Sequence, residues 1–465
     1  MKKLNFFLLL CCLLCLPGCA FQNKRLAQFD KHGGYRFQNL HTNALNSDEV
    51  FIILSFSGGG TRAAAFSYGA MEELAATPIT FGGGKRRLLD EVDIISSVSG
   101  GSFTAAYYAL YRDRLFTDFD RDFLKKNVQL SLALRVVNPI NWPRLASPYF
   151  DRIDLAAQCY DTLLFKNHTY ADLIAAGQRP FIVLNVTDMS QECRFEFTQS
   201  QFDLLYSDLG TYPLARAVAA SSAFPVLSSP LTLKNYPEGA DYEEPEWVAN
   251  GLDDIDNNST RYRIAALTRS YEDATNRPYI HLLDGGISDN IGLRGPTRSL
   301  LSTDGQDSIL KMINKKQIKK VVVITVNAKP GADLGKDKHR RAPGVIGVLG
   351  TVTSAPMDNY SFDTVESLNG QIDQLKKDHQ VDVQVKELLA KLCPNAEWVV
   401  RSPDLDFYDI ELSFERIKDP VLSARLKALP TNYSLDCKDV ELLKQAAKDL
   451  LRESEEFQRL VKALN

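Results

Sequence analysis

Short apolar, β-branched runs recur along the chain at Val50–Phe56 and at residues 93–98, 180–187, 280–284 and 319–327. Runs of this length, bounded by glycines and small polar residues, predict buried strands. Two of them lead directly into stretches of helical composition. Val50–Phe56 passes through Ser57-Gly58-Gly59-Gly60 into residues 63–75, which are rich in Ala and helical in composition. Residues 93–98 pass through Ser99-Gly100-Gly101 into an Ala- and Tyr-rich helix at 102–111. Strand, tight turn and helix twice in succession predict adjacent βαβ units, with both turns at the carboxyl edge of one parallel sheet. Ligands of open α/β sheets bind at that edge.

Further along, residues 194–198 read as the hairpin partner of the strand at 180–187. Residues 215–230 begin as a small-residue helix that closes on Phe224-Pro225, suited to tight packing under a site loop or within a core. Residues 132–165 hold Pro139, Pro143 and Pro148 among many apolar side chains and show no single period before Ile153. They predict either a lid or membrane-facing flap or an irregular packed connection, with packing preferred. Residues 235–260 carry eight acids and no Lys or Arg, the composition of a solvated loop without the spacing of a calcium site. After Pro330 a Gly- and Pro-containing loop leads to helical stretches at 358–391 and 436–464, with a strand near 406–415.

Three of the turns carry candidate chemistry. Ser99, at a strand-to-helix turn, has the placement of a nucleophile elbow, whose usual form is Gly-x-Ser-x-Gly. Here Ser97 replaces the first glycine. A Ser-Gly-Gly turn alone is most often only a connection. Three consecutive glycines exceed what a βα turn requires, and their amides could approach a ligand closely. A phosphate cradle would add a lysine that is absent here, whereas an oxyanion hole needs only free amides and a dry pocket. Finally, the strand at 280–284 delivers Asp284 to Gly285-Gly286, where a carboxylate could serve a serine directly as general base. His281 lies three residues earlier, on the opposite face of an alternating strand, and reads as structural.

Composition adds an address. Met1-Lys2-Lys3 followed by apolar residues 4–16 is a signal segment too short to span a bilayer. It ends in Leu16-Pro17-Gly18-Cys19, which resembles the lipobox of bacterial lipoproteins. That resemblance implies cleavage before Cys19, acylation of its thiol and, with Ala20 rather than Asp next, anchoring in the outer membrane of a bacterial envelope. Without residues 1–18 the net charge is about −6, which argues against nucleic acid as a partner. Overall, 45% apolar and 24% charged residues describe an ordinary globular chain. Four cysteines remain in an exported chain, so disulfides are permitted. Cys393 and Cys437, both in the tail, are expected to bridge, and Cys159 and Cys193 to stay buried and free. The histidines are scattered and no CxxC occurs, so neither a metal nor another cofactor is expected.

Taken together, Ser57-Gly58-Gly59-Gly60-Thr61-Arg62, Ser99-Gly100-Gly101-Ser102, Ala220-Ser221-Ser222-Ala223-Phe224-Pro225 and Asp284-Gly285-Gly286 follow the order of motifs in patatin-like phospholipases, which the chain resembles over residues 48–330. The resemblance implies a three-layer α/β/α fold with a mainly parallel central sheet. It implies Ser99 as nucleophile, Asp284 as base, and the amides of Gly58, Gly59 and Gly60 as oxyanion hole with Arg62 beside it. The substrate would be a phospholipid or another acyl lipid. The implied organisation is a signal at 1–18, a tether at 19–47, a catalytic domain at 48–330 and an α+β extension at 331–465 that the motifs do not reach. The competing expectation is a membrane-anchored binding or scaffold protein on a decayed frame of the same kind.

Overall fold

The computed structural model describes residues 21–41, 46–47, 49–80, 84–225, 228–301, 318–332, 337–338, 340, 344–393 and 405–465. Cys19 and the lipobox lie outside the described residues. The strands are β1 (Val50–Phe56), β2 (Pro78–Ile79), β3 (Arg86–Arg87), β4 (Val92–Val98), β5 (Phe181–Asp188), β6 (Cys193–Glu196), β7 (Leu231–Lys234), β8 (Tyr279–Asp284), β9 (Lys320–Asn327) and β10 (Asp406–Ser413). Apart from the small β2–β3 pair, they form one sheet in the order β10-β9-β1-β4-β5-β8-β7, with β6 paired to β5. The five strands from β10 to β5 are mutually parallel, and every residue of β1, β4 and β5 is buried. Continuous apolar runs therefore mark the strands covered on both faces, as a parallel sheet requires.

The helices that position the site are α1 (Gly60–Ala76), α2 (Gly100–Tyr111), α3 (Val128–Val137), α4 (Arg152–Tyr160), α5 (Leu214–Ser221), α6 (Val345–Leu392) and α7 (Cys437–Glu453). Helix α1 is buried almost all round, because a tail helix packs on it. Val440, Leu443 and Ala447 of α7 are buried, and Arg452 and Lys448 pair with Glu73 and Glu72 at 2.6 and 2.7 Å. The tail also supplies β10, the edge strand beside β9, and its apolar residues join the same core as the sheet. The extension is thus built into the sheet and its helical layer. Among the described residues no helix is long and apolar enough to cross a membrane.

Two expectations change. Residues 128–137 form a regular helix, and the stretch after it does not pack away: Leu130, Leu134, Val137, Ile140, Trp142 and Tyr149 are exposed. Cys393 and Cys437 are free and exposed rather than bridged; the first caps the end of α6 and the second opens α7. Cys159 is buried and free as expected, and Cys193 is half-buried and free, its thiol 3.7 Å from the Tyr271 hydroxyl. The acid-rich stretch 235–260 includes a short helix, Glu246–Leu252.

Candidate active site

Strand β4 ends at Val98, and the chain reverses at Ser99 with φ 48° and ψ −115° before α2 begins. A non-glycine residue in that region is strained by about 1–3 kcal/mol and persists only where its surroundings hold it. What holds it is a chain of small hydroxyls. The Ser99 amide donates to Ser221 Oγ at 2.9 Å, and Ser221 Oγ donates to the Asn185 carbonyl at 2.7 Å. Ser102 Oγ lies 2.9 Å from Ser221 Oγ and 3.2 Å from Ser97 Oγ. Ser97 is fully buried with its hydroxyl partnered, so the serine in place of glycine is accommodated as part of this network. Gly100 is required for the close approach: a Cβ there would stand 2.1 Å from the Gly60 carbonyl.

The small-residue stretch after residue 215 explains itself here. Helix α5 ends at Ser221 beneath the elbow, and the carbonyls of Ser221 and Ala223 accept the amides of Gly285 and Asp284 at 3.2 and 3.0 Å. One segment therefore fixes both the serine turn and the aspartate turn. Only a run of Ala and Ser leaves room for three backbones at that point.

Asp284 arrives from an unexpected direction. Strand β8 is antiparallel to β5, with Asp284 opposite Val186, while Val98 of parallel β4 stands opposite Asn185. Ser99 and Asp284 therefore meet at one level of the sheet although their strands run in opposite senses. The Asp284 carboxylate accepts the Gly286 amide at 2.8 Å, and the Ser99 hydroxyl stands close beside it. Burial pushes this carboxyl up to about 6, against the pull of those two donors. His281 points away as expected: it is exposed, and its Nδ1 lies 2.9 Å from Thr232 Oγ1 on β7.

The glycine loop is narrower than its sequence suggests. The Gly58 amide donates to the Asn290 carbonyl at 2.9 Å and the Thr61 amide to the Asn432 carbonyl at 2.8 Å. Gly58 is thus removed from the expected set of free amides, leaving Gly59 and Gly60. These have φ 139° and 59°, values open to glycine and costly for any other residue. Arg62 is buried beside Gly59 and does not offer its charge to a ligand. Its Nε donates to the Ala328 carbonyl and its terminal nitrogens to the Leu429 carbonyl and Thr431 Oγ1. Burial lowers the guanidinium to about 10. Its role here is to staple the glycine loop to the tail segment 429–433.

That segment brings in a residue the motifs do not mention. The Tyr433 hydroxyl stands near Ser99, Ser222 and Tyr160, and burial together with the nearby Asp284 carboxylate pushes it up to about 12. Its carbonyl accepts the Gln129 amide of α3 at 3.1 Å. Phe103 lies between the rings, with centroids 4.8 Å from Tyr160 and 5.7 Å from Tyr433. Tyr433, backed by these rings, thus stands beside Ser99 and Asp284, and Ser99 is only 6% exposed. Nothing local in Thr431-Asn432-Tyr433 marks it as part of a site, since the contact joins positions more than three hundred residues apart.

The fold is a mainly parallel α/β sheet with a strained serine at the end of β4 and a buried aspartate at the end of β8. The family model of the patatin-like phospholipases matches residues 54–296, more than half of the chain, and the chain belongs to that family. Among solved structures, human GIVD cytosolic phospholipase A2 is similar at 13% identity and a TM-score of 0.40, over 90% of this chain and 62% of that one. VipD from Legionella pneumophila is similar at 11% identity and a TM-score of 0.28, over 94% and 72%. This chain thus spans less than two thirds of the human protein's length. No curated protein matches it.

Proposed function

We propose that the protein is a lipid acyl hydrolase working through a Ser99–Asp284 dyad. The observation that carries this reading is the placement of Ser99, on a strained elbow, beside a buried carboxylate whose titration it affects. As Ser99 Oγ attacks the acyl carbonyl carbon, its O–H bond breaks and the proton passes to Asp284. The carbonyl oxygen becomes an oxyanion beside the free amides of Gly59 and Gly60, where preorganised donors act strongly in a dry pocket. Collapse of the tetrahedral adduct expels the alkoxide, which takes the proton from Asp284 and leaves as an alcohol. Water then gives its proton to Asp284, attacks the acyl-enzyme and releases the fatty acid, restoring Ser99. Tyr433 stays protonated near neutral pH and holds the serine hydroxyl toward Asp284. The aromatic rings near Ser99 support an acyl chain as the group bound, and the family supports a phospholipid or related ester.

We infer an address in the bacterial envelope as well, from the Leu16-Pro17-Gly18-Cys19 pattern. Cys19→Ser is expected to abolish lipid labelling and leave precursor unprocessed; maturation to the same N-terminus would remove that reading. A fluorophosphonate probe tests the hydrolase itself. Labelling of the wild type and none of Ser99→Ala is expected. A folded wild type that takes no label would leave the decayed-frame scaffold as the better account.

A further inference from the structure

Helix α3 is apolar on two faces. Val128 and Leu132 turn inward against the core. Leu130, Leu134 and Val137, spaced four and three apart on the other face, are exposed by 53%, 56% and 61%. The chain continues the apolar surface through Ile140, Trp142 and Tyr149, exposed by 79%, 57% and 74%. Single exposed apolar side chains need no account, but six within twenty residues form a patch of the kind that marks an interaction face.

Three further observations indicate what covers it. Residues 127–150 contain Arg135 and Arg144 and no acid, in a protein whose net charge is negative, so the segment favours an anionic partner. The first described residue, Phe21, is tied to the helix that follows this stretch: the Arg216 guanidinium stacks 4.5 Å from its ring and pairs with Asp154 near the start of α4 at 2.6 Å. Cys19, the position the lipobox resemblance implies is acylated, comes two residues earlier in the chain. Finally, α3 begins at the site, where the Gln129 amide bonds the carbonyl of Tyr433. An apolar patch with a tryptophan and a tyrosine, cationic, followed by a helix tied to the N-terminal segment and continuous with the site, has the chemistry of a face that rests on lipid headgroups and dips into the acyl boundary.

We propose that the face formed by α3 and residues 138–149 docks on an anionic phospholipid bilayer, and that this docking presents membrane lipid to Ser99. This rests on the hydrolase reading for its purpose, but it is measured without turnover. The test uses the full chain carrying Trp247→Phe and Trp398→Phe, so that Trp142 is the one tryptophan left. It is reconstituted on phosphatidylethanolamine–phosphatidylglycerol vesicles with and without brominated acyl chains. Trp142 emission is expected to shift blue and to be quenched by the brominated chains. Adding Leu134→Asp and Ile140→Asp should remove the quenching and slow hydrolysis of vesicle lipid about tenfold or more, while hydrolysis of a water-soluble short-chain ester is unchanged. Equal Trp142 emission on both vesicle types, with the chain bound, overturns the proposal, as does quenching that survives the two substitutions. Concentration-dependent dimerisation that the two substitutions abolish would assign the face to a second copy and also overturn it. Quenching with neither substrate cleaved would keep the docking face and refute the hydrolase reading.

Discussion

Replacing Asp284 by Asn should remove the activity and strengthen the fold, and the size of the second effect follows from the site. Burial raises the Asp284 carboxyl from 3.8 to about 6. At about 1.4 kcal/mol per tenfold, keeping the ionised form in the folded chain costs about 3 kcal/mol relative to the unfolded chain. The pH window follows from the direction of the shift. Below about pH 4 both states hold the proton and nothing is lost. Between about pH 4 and 6 the unfolded chain releases it while the folded chain retains it, so stability falls as pH rises, and above about 6 the whole cost is present. The amide of the Asp284→Asn variant never ionises. It still offers an oxygen to the Gly286 N–H, as the protonated carboxyl does, and the pull of that bond on the ionised form is already contained in the shift. The variant should therefore be more stable than wild type by about 3 kcal/mol at pH 8. At pH 4 it should be equal or slightly weaker. Turnover should drop roughly 10³-fold or more, with Ser99→Ala alike and the double variant little worse. Urea unfolding followed by fluorescence at both pH values reads the first effect, and ester hydrolysis the second. If Asp284→Asn gains nothing at pH 8 relative to pH 4, the carboxylate is not held against its desolvation. If it retains turnover, Asp284 is not the base.

The same shift sets the rate profile: kcat/KM should rise with pH through about 6, where Asp284 ionises, and a profile flat from pH 5 to 8 would exclude that carboxyl as the base. Tyr433→Phe keeps the ring and loses the hydroxyl beside Ser99, so kcat should fall about tenfold with KM for a short-chain ester unchanged; full activity would place Tyr433 outside the mechanism. Gly60→Val sets a Cβ 2.2 Å from the Asn432 carbonyl at φ 59°, so it should cost roughly 10²-fold in turnover and loosen the tail, which limited proteolysis near residue 432 would report; an active, protease-resistant variant contradicts this. Alkylation of the native chain should modify Cys393 and Cys437 and spare Cys159, and a peptide joining the first two without reduction would restore the bridge.

Features with local causes could be read from residue order alone. The strands were legible because burial on both faces demands continuous apolar runs, as in Val50–Phe56 and Lys320–Asn327. The two turns at Gly58–Gly60 and Ser99–Gly101 were legible because positive φ and backbone contact leave glycine as the residue that fits, and their chain order carried the family. The pairing of Ser99 with Asp284 was legible only as a possibility, since it depends on register. A one-residue slip of β8 against β5 would turn the carboxylate to the other face of the sheet. That β8 runs antiparallel, that the Gly58 amide is claimed by Asn290 and that Arg62 is spent on the tail are decided by tertiary contacts across tens to hundreds of residues. Tyr433 is the furthest case, brought to Ser99 because β10 and α7 close the sheet and cover α1. The outward face of α3 belongs with it: Leu130 and Leu132 are the same residue type, and only the packed core decides which of them turns to solvent.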